Sequence, residues 1–361
     1  MHELSQMIKD DMKPALGVTE PGAIAFAVAK ARSFTKGDIK KVNVAMNSGM
    51  YKNAFTCGIP NSNEVGNVFA AALGVVAGNA DKGLESLADV TPEDNVKAQE
   101  MIDQGKITVE LSGITSRIFI EATVETEEDK AIVTIRDSHT NITKIIVNDK
   151  VELETEDEKK TEEDGGEEES HSIHKYTLQQ LYDYVTTVDI EEIRFINEAY
   201  KVNLELFHEG LENPRTTFAR QLLAINKGKE VSDDEQKTAS LMCNAAIEAR
   251  VIGLDKPAMS ITGSGAHGII ATMPLYAAYK VNGYTEEQLL RATALSYLVC
   301  MYIKEYSGRL SAFCGCAIAA GSGMACALVY LRGGTVEMMA HTLNNICLLY
   351  TSPSPRDGAT S

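Results

Sequence analysis

The chain has 361 residues, with 51 acidic and 34 basic side chains and a formal net charge of −17. At about 100–200 residues per domain this length predicts two domains, and the 44% of apolar residues is enough for a large core. The acidic balance argues against binding to nucleic acid or to an anionic membrane, because both need clustered basic side chains.

The first 106 residues are predicted to form the N-terminal helical part of a catalytic domain. Thr19-Glu20-Pro21 has the composition of a helix start, because Thr is a capping residue and an acid and a Pro are favoured in the first turn. A polar loop at 47–63 follows and precedes another helical segment. Thr91-Pro92-Glu93 starts a further helix, which is expected to end near Gly105.

Residues 107–151 change to a period of two, which is typical of strands. Four alternating apolar segments, joined by polar turns such as Glu127-Glu128-Asp129-Lys130, predict an antiparallel β-sheet inserted into the helical chain. The fold class expected from the sequence is therefore α+β, with a mainly helical core domain and a smaller antiparallel β-sheet domain.

An acidic segment at 152–175 follows the predicted sheet. Between Val151 and Ser170 there are eleven acidic side chains and two lysines, a net charge of −9. With Gly165-Gly166 inside it, the segment is predicted to be a flexible, solvated linker, and a metal-binding or regulatory role is the alternative.

Residues 176–346 return to helical spacing and are predicted to form the rest of the helical catalytic domain. Three helix starts have the capping-box pattern, at Thr177-x-x-Gln180, Ser232-x-x-Glu235 and Thr285-x-x-Gln288. The segment from Phe313 to Leu331 carries no charge, but its Ala, Gly, Cys and Ser content favours a buried helix over a membrane span.

The tail at 347–361 differs from the preceding sequence. It has no helical period and resembles a translated sequencing adapter, so the native sequence is expected to stop near Ile346 and the tail is not expected to belong to the fold. A disordered C-terminus is the alternative.

The seven cysteines are odd in number and irregularly spaced, and the N-terminus lacks the apolar core of a signal peptide. Reduced thiols in a cytoplasmic protein are therefore expected in place of a disulfide framework.

Four segments contain residues suited to chemistry, and the first two lie before the predicted sheet. The helix start at Thr19 and Glu20 offers free backbone N–H groups to an anion, although simple helix capping explains the same residues. The loop from Lys52 to Asn61 brings a thiol, amides and a hydroxyl together before a helix, as binding loops and ordinary turns both do.

The other two segments lie in the second half. In 260–268, three glycines let backbone amides converge on an anion, and Ser264 and His267 add a hydroxyl and an imidazole; a tight turn with a satisfied His is the alternative. Cys314-Gly315-Cys316 places two thiols where iron or another soft metal could approach, and buried cysteines in a small-residue helix are the alternative.

Taken together, these segments resemble the L-cysteine desulfidase family, relatives of the α chain of bacterial iron–sulfur L-serine dehydratases. The resemblance extends from Leu16 to about Ile346. The motifs that carry it are Gly17-Val18-Thr19-Glu20-Pro21, Lys52-Asn53 with Gly58-Ile59-Pro60, Gly263-Ser264-Gly265 with His267-Gly268, and Gly308-Arg309-Leu310-Ser311 through Cys314-Gly315.

This resemblance implies a cytoplasmic lyase with a [4Fe–4S] cluster that converts L-cysteine, or L-serine in the sister enzymes, to pyruvate and ammonia, with hydrogen sulfide released from cysteine. Three thiolates would hold three irons and leave the fourth open as a Lewis acid. The expected catalytic residues are Cys57, Ser264 and His267, the expected substrate-binding residues are Thr19, Glu20, Lys52, Asn53, Asn61, Gly263 and Gly265, and the expected metal ligands are Cys314 and Cys347.

The sequence also departs from the family pattern. Val18 stands where the family has its proposed thiol base, so either Cys57 or His267 is the base or the substrate differs. Two further ligands are expected in a late Cys-x6-Cys motif, and only Cys347 falls about where the first of them belongs. We therefore expect the chain as written to be inactive and its full-length parent to be a cluster-dependent lyase.

Two other functions stay open. A pyridoxal phosphate lyase would use Lys52 for a Schiff base and the glycine loop for phosphate. A non-catalytic amino-acid sensor on the same scaffold is suggested by Val18 and the acidic linker. A small amino acid is the expected ligand in each case, and the small-residue surfaces favour a homodimer.

Overall fold

The structure, a computed structural model, describes residues 1–115, 117–155, 172–307 and 314–351. The helices are α1 (Glu3–Asp11), α2 (Thr19–Arg32), α3 (Ser48–Ala54), α4 (Asn67–Ala77), α5 (Pro92–Asp103), α6 (Leu178–Thr187), α7 (Ile190–Ile193), α8 (Asn197–Glu212), α9 (Phe218–Ile225), α10 (Glu235–Val251), α11 (Gly265–Asn282), α12 (Glu286–Ser307), α13 (Gly321–Leu331) and α14 (Val336–Thr351). The strands are β1 (Lys13–Leu16), β2 (Ile39–Asn47), β3 (Ile107–Gly113), β4 (Phe119–Thr126), β5 (Lys130–Arg136), β6 (Ile142–Val147), β7 (Lys150–Glu154) and β8 (Pro257–Ser260).

Six of these strands form a mixed sheet in the order β3-β2-β4-β5-β6-β7. β2 and β3 are parallel, because helices α3, α4 and α5 connect them, whereas the other neighbours are antiparallel. Ile120, Ala122 and Val124 alternate along β4 with less buried residues and pack with α2 and α4 in one hydrophobic cluster. One face of the sheet therefore supports the helix that carries Glu20.

This architecture confirms the α+β class and changes the details of the predicted sheet. One strand pair is parallel, and β2 and β7 extend the sheet beyond the four predicted strands. Residues 152–154, predicted to begin the linker, lie in β7, and most of the acidic segment, 156–171, lies outside the described residues. The domain boundaries themselves stay a prediction.

The second half of the chain is helical, as its periodicity predicts. Helices α8, α10, α11, α12 and α13 contribute to two further hydrophobic clusters. The approach of α13 to α12 is close, since a Cβ at Gly323 would lie 2.2 Å from the Ser296 carbonyl oxygen. The small residues that made 313–331 ambiguous thus serve helix packing.

Two of the three predicted capping boxes are confirmed. Thr177 accepts from the Gln180 backbone N–H at the start of α6, and Thr285 does the same for Gln288 before α12. The third is wrong, because Asp234 caps α10. The Ser232 hydroxyl donates to Asn226 Oδ1 instead.

The segment at 313–331 is divided between a π-helical turn at Cys316–Ala320 and α13, and Phe313 lies outside the described residues. Ala319, Ala320 and Cys326 are fully buried, which agrees with the buried-helix prediction. No helix in the described ranges is long and apolar enough to cross a membrane.

Helix α14 continues through Cys347 to Thr351, where the sequence has no helical period. A helix that has already started propagates easily, and the Leu residues that follow Cys347 are good helix formers. Residues 352–361 lie outside the described part of the chain.

Candidate active site

A cavity of about 470 Å³ lies where the two halves of the chain meet. The start of α2 and helix α3 form one wall, and the end of α10 with the start of α11 forms another. The end of α12 and the segment at 314–316 complete it. Most of the residues singled out in the sequence line this cavity: Thr19, Glu20, Lys52, Asn53, Cys57, Gly263, Ser264, His267 and Cys314.

Three predicted site residues do not line it. Asn61 Nδ2 donates to the carbonyl oxygens of Leu87 at 3.0 Å and Ala88 at 2.9 Å, so this side chain holds a loop. Gly265 begins α11 behind the wall, and Cys347 is exposed on α14.

The start of α2 places a carboxylate in the cavity. Glu20 is 7% exposed, and its Oε1 and Oε2 accept hydrogen bonds from Asn53 Nδ2 at 2.9 Å and Thr19 Oγ1 at 3.3 Å. Thr19 is therefore not the cap of α2, a position that Val18 occupies without a side-chain hydrogen bond. His139, from the connection between β5 and β6, also lines the cavity, with Nε2 3.5 Å from Thr19 Oγ1.

Cys57 keeps its proton at neutral pH. Burial, and then the charge of Glu20, raises the pKa of this thiol to about 11, against the opposing effect of Arg250. Its Sγ donates to the Asn53 carbonyl oxygen at 2.7 Å. A thiol that holds its proton this tightly is a poor general base, which disfavours one of the two expected bases.

His267 is a neutral imidazole, because burial, followed by the charges of Lys304 and Arg250, lowers its pKa to about 3. Its Nδ1 lies 2.6 Å from Thr262 Oγ1, and that hydroxyl donates to the Ile261 carbonyl oxygen at 2.7 Å. Because the Thr262 hydroxyl donates its hydrogen to the Ile261 carbonyl oxygen, it accepts a hydrogen bond from His267 Nδ1–H. The other ring nitrogen of His267, Nε2, then carries the lone pair.

Gly315 packs against this imidazole. A Cβ at position 315 would lie 2.7 Å from His267 Nε2 and 3.0 Å from Cε1. The glycine between the two thiols of Cys314-Gly315-Cys316 therefore sets the position of the histidine ring.

Two buried cations in the cavity wall were missed in the sequence. Arg250 at the end of α10 and Lys304 near the end of α12 are each 6% exposed, and burial lowers the pKa of both. Their only signal is a charge on a buried helix face: Arg250 follows Ala246 by four residues, and Lys304 follows Cys300 by four. His139 gave no local signal, since only tertiary packing brings its loop to α2.

The sequence profile of the family described as "Serine dehydratase alpha chain" matches residues 81–348, which include Arg250, His267, Lys304 and Cys314. The chain belongs to this family. Membership in the serine dehydratase alpha chain family supports a lyase-like function and leaves the choice of substrate open.

Similar proteins support the assignment over nearly the whole chain. A "UPF0597 protein" of Clostridium botulinum is 39% identical over 348 residues, which cover 94% of this chain and 79% of the relative. "UPF0597 protein TTE0269" of Caldanaerobacter subterraneus subsp. tengcongensis is 35% identical over 343 residues, 95% and 79% of the two chains. "UPF0597 protein BF3560" of Bacteroides fragilis is 34% identical over 346 residues, with the same coverage. No solved structure matches.

The iron–sulfur cluster implied by the resemblance fits the described residues only in part. Cys314, Cys316 and Cys243 line the cavity. Burial raises the pKa of Cys243 to about 12 and that of Cys316 to about 11, so both side chains are protonated thiols in the metal-free site and would have to release their protons to bind iron. Within the described ranges, no group of three or more His, Cys, Asp or Glu residues is arranged to hold a metal ion. The described part of the chain therefore does not build a cluster cage around Cys314.

Proposed function

We propose that this protein is a lyase that performs α,β-elimination on L-cysteine, giving pyruvate, ammonia and hydrogen sulfide. L-Serine is the alternative substrate for the same chemistry. Membership in the serine dehydratase alpha chain family supports the reaction class. The observation that carries the proposal is one cavity of about 470 Å³ whose wall contains a buried carboxylate, two buried cations and an imidazole. Such a set of groups suits a small zwitterion with an acidic α-proton.

Elimination requires loss of the α-proton and departure of the β-substituent. Of the two expected bases, His267 has a free lone pair at neutral pH, whereas Cys57 keeps its proton. A pKa of about 3 makes the imidazole a weak base, so proton transfer to it depends on stabilisation of the negative charge left on the substrate. Lys304 acts on the same site electrostatically, since a cation there stabilises negative charge that develops when the α-proton leaves. The resulting aminoacrylate tautomerises to an imine, and water hydrolyses the imine to pyruvate and ammonia.

The [4Fe–4S] cluster enters this proposal as a cofactor implied by the resemblance. Cys314 lines the cavity, and Cys347 lies on α14 outside its wall. Iron and acid-labile sulfide, measured after anaerobic reconstitution, test the cofactor independently of activity. Stoichiometric iron in the 361-residue chain would contradict the expectation that this chain lacks ligands.

The reaction is tested with the full-length protein, reconstituted anaerobically with iron and sulfide. We expect sulfide, pyruvate and ammonia in equal amounts from L-cysteine, and the ratio of kcat/KM for L-cysteine and L-serine identifies the preferred substrate. If both amino acids bind and no product forms, the lyase proposal is contradicted and a non-catalytic amino-acid sensor is favoured. Val18, which lines the cavity, is the observation that motivates this alternative.

A pyridoxal phosphate mechanism is distinguished by borohydride treatment. Lys52 lines the cavity and is the expected Schiff-base lysine in that case. Retention of activity after borohydride supports the proposal, and loss of activity together with a reduced cofactor adduct on Lys52 contradicts the cluster-dependent lyase.

A further inference from the structure

Arg250 is a buried cation that lines the cavity, and its guanidinium has no hydrogen-bond acceptor among the described residues. It lies in the last turn of α10 and is 6% exposed. Its Nε is buried without a hydrogen-bond partner in the described part of the chain. An unpaired charge is costly to bury, so a site that retains one is expected to bind an anion.

The surroundings of Arg250 are built to hold the guanidinium at this wall. Gly265, at the start of α11, lies directly against it, and a Cβ there would be 2.8 Å from Arg250 Nε and 2.9 Å from the Ala258 Cβ. The first turn of α11 also brings the positive end of a helix to the same wall. Both features favour a negative group of the ligand at this place.

The opposite charge in the cavity belongs to Glu20. Its carboxylate is oriented by Asn53 and Thr19, and it interacts electrostatically with Arg250. No ion pair joins Glu20 to Arg250 in the described part of the chain. Two buried, opposite charges that line one cavity and do not contact each other leave a gap suited to a ligand with both charges.

We propose that Arg250 binds the α-carboxylate of an amino acid while Glu20 binds its α-ammonium. This inference rests on the proposed function and specifies how the same cavity recognises its substrate class. Arg is suited to the first role because its planar fork pairs with a carboxylate through two parallel hydrogen bonds. The two contacts fix the α-carbon between them and leave the β-substituent to the remaining wall, where His267 and Cys314 lie.

Ligand binding by the 361-residue chain tests this recognition without turnover. The probes are L-alanine, which has both charges and no leaving group, ethylamine, which lacks the carboxylate, and propionate, which lacks the ammonium. By isothermal titration, wild type should bind L-alanine at least about tenfold more tightly than either fragment. Equal affinity for L-alanine and ethylamine, or no binding of L-alanine, contradicts the proposal.

Two variants and a matched control identify the residue. Arg250→Gln should weaken L-alanine binding by about tenfold or more and leave ethylamine binding unchanged within about twofold, and Arg250→Lys should restore part of the loss. Arg291→Lys is the control, because Arg291 is a partly buried arginine that bonds the carbonyl oxygens of Val185 and Val188 away from the cavity. Equal losses for L-alanine and ethylamine would contradict a carboxylate role. If Arg250→Gln fails to fold, the carboxylate role of Arg250 is still tested by Arg250→Lys and by the relative affinities of the wild type for L-alanine, ethylamine and propionate.

Turnover by the full-length protein separates this inference from the proposed function. If L-alanine binding depends on Arg250 but L-cysteine gives no product, the proposed carboxylate site is supported and the proposed lyase activity is refuted. If L-cysteine gives product and Arg250→Gln has an unchanged KM for L-cysteine, the proposed lyase activity is supported and the proposed carboxylate site is refuted.

Discussion

At the scale of single residues, the structure shows the surroundings of side chains that the sequence could only assign to short motifs. Glu20, Cys57 and His267 were expected at the site and line the cavity. The protonation states of Cys57 and His267 were not predictable, because burial and neighbouring charges set them: Cys57 has a pKa of about 11 and His267 a pKa of about 3. Arg250 was not predicted, because one charge on an alanine-rich helix forms no motif.

The raised pKa of Cys57 gives a prediction for its reactivity. Thiolate, the form that reacts with iodoacetamide, is scarce well below pH 11, so alkylation of Cys57 should be slow at pH 8 and should rise about tenfold per pH unit toward pH 11. Because the folded-state pKa lies above the ordinary thiol value of 9.0, the proton on Cys57 stabilises the fold below pH 9, and this contribution is lost as pH rises toward 11.

Peptide mapping by mass spectrometry measures the alkylation, and the exposed Cys347 is the internal reference in the same sample. Alkylation of Cys57 that levels off near pH 8 would contradict a raised pKa.

The contact between Gly315 and His267 gives a second prediction. In Gly315→Ala the new Cβ would lie 2.7 Å from Nε2, so the imidazole must move, and kcat for product formation should fall by about tenfold or more. Gly113→Ala is the matched control, since no atom lies within 4 Å of its added Cβ. Equal kcat values for Gly315→Ala and wild type would show that the position of His267 is not critical.

At the scale of helices and strands, the local sequence pattern was sufficient to predict the features that depend on interactions between residues close together in the chain. The capping boxes at Thr177 and Thr285 and the alternation along β4 are of this kind. The parallel pairing of β2 with β3 was not predictable, because it joins residues about 65 positions apart through three helices. The continuation of α14 through Cys347 depends on helix propagation, which a search for apolar periodicity does not detect.

The pair Tyr200 and Thr293 tests how α8 and α12 are held together. Their buried hydroxyls form a hydrogen bond, and Thr293 also donates to the Leu289 carbonyl oxygen. Thr293→Val leaves the Tyr200 hydroxyl without this partner and should lower the free energy of unfolding by about 1–3 kcal/mol, and Tyr200→Phe should cost less because Thr293 keeps its second partner.

Chemical denaturation of the two single variants and the double variant measures this coupling. The double variant should lose less than the sum of the single losses. Additive losses would contradict a direct hydrogen bond between α8 and α12.

At the scale of the whole molecule, the cavity exists because segments about 200–300 residues apart are folded against each other. The α2 start and the loop with Cys57 come from the sheet-containing half, and His267, Lys304 and Cys314 come from the helical half. The resemblance to the desulfidase family was enough to group most of these segments from their motifs. It could not supply Arg250, Lys304 and His139, because no motif marks them and only packing turns them toward one space.

The central claim is that this cavity binds a small amino acid through Glu20 and carries out its elimination. The measurement that tests it most directly is kcat/KM for sulfide release from L-cysteine by the full-length protein, compared with its Glu20→Gln variant. Glutamine keeps the shape of the side chain and removes the charge, so kcat/KM should fall by about a hundredfold, as expected for the loss of a buried charged contact. Glu64→Gln, a change at an exposed glutamate, should have no effect. Sulfide release at an undiminished kcat/KM in Glu20→Gln would contradict the account.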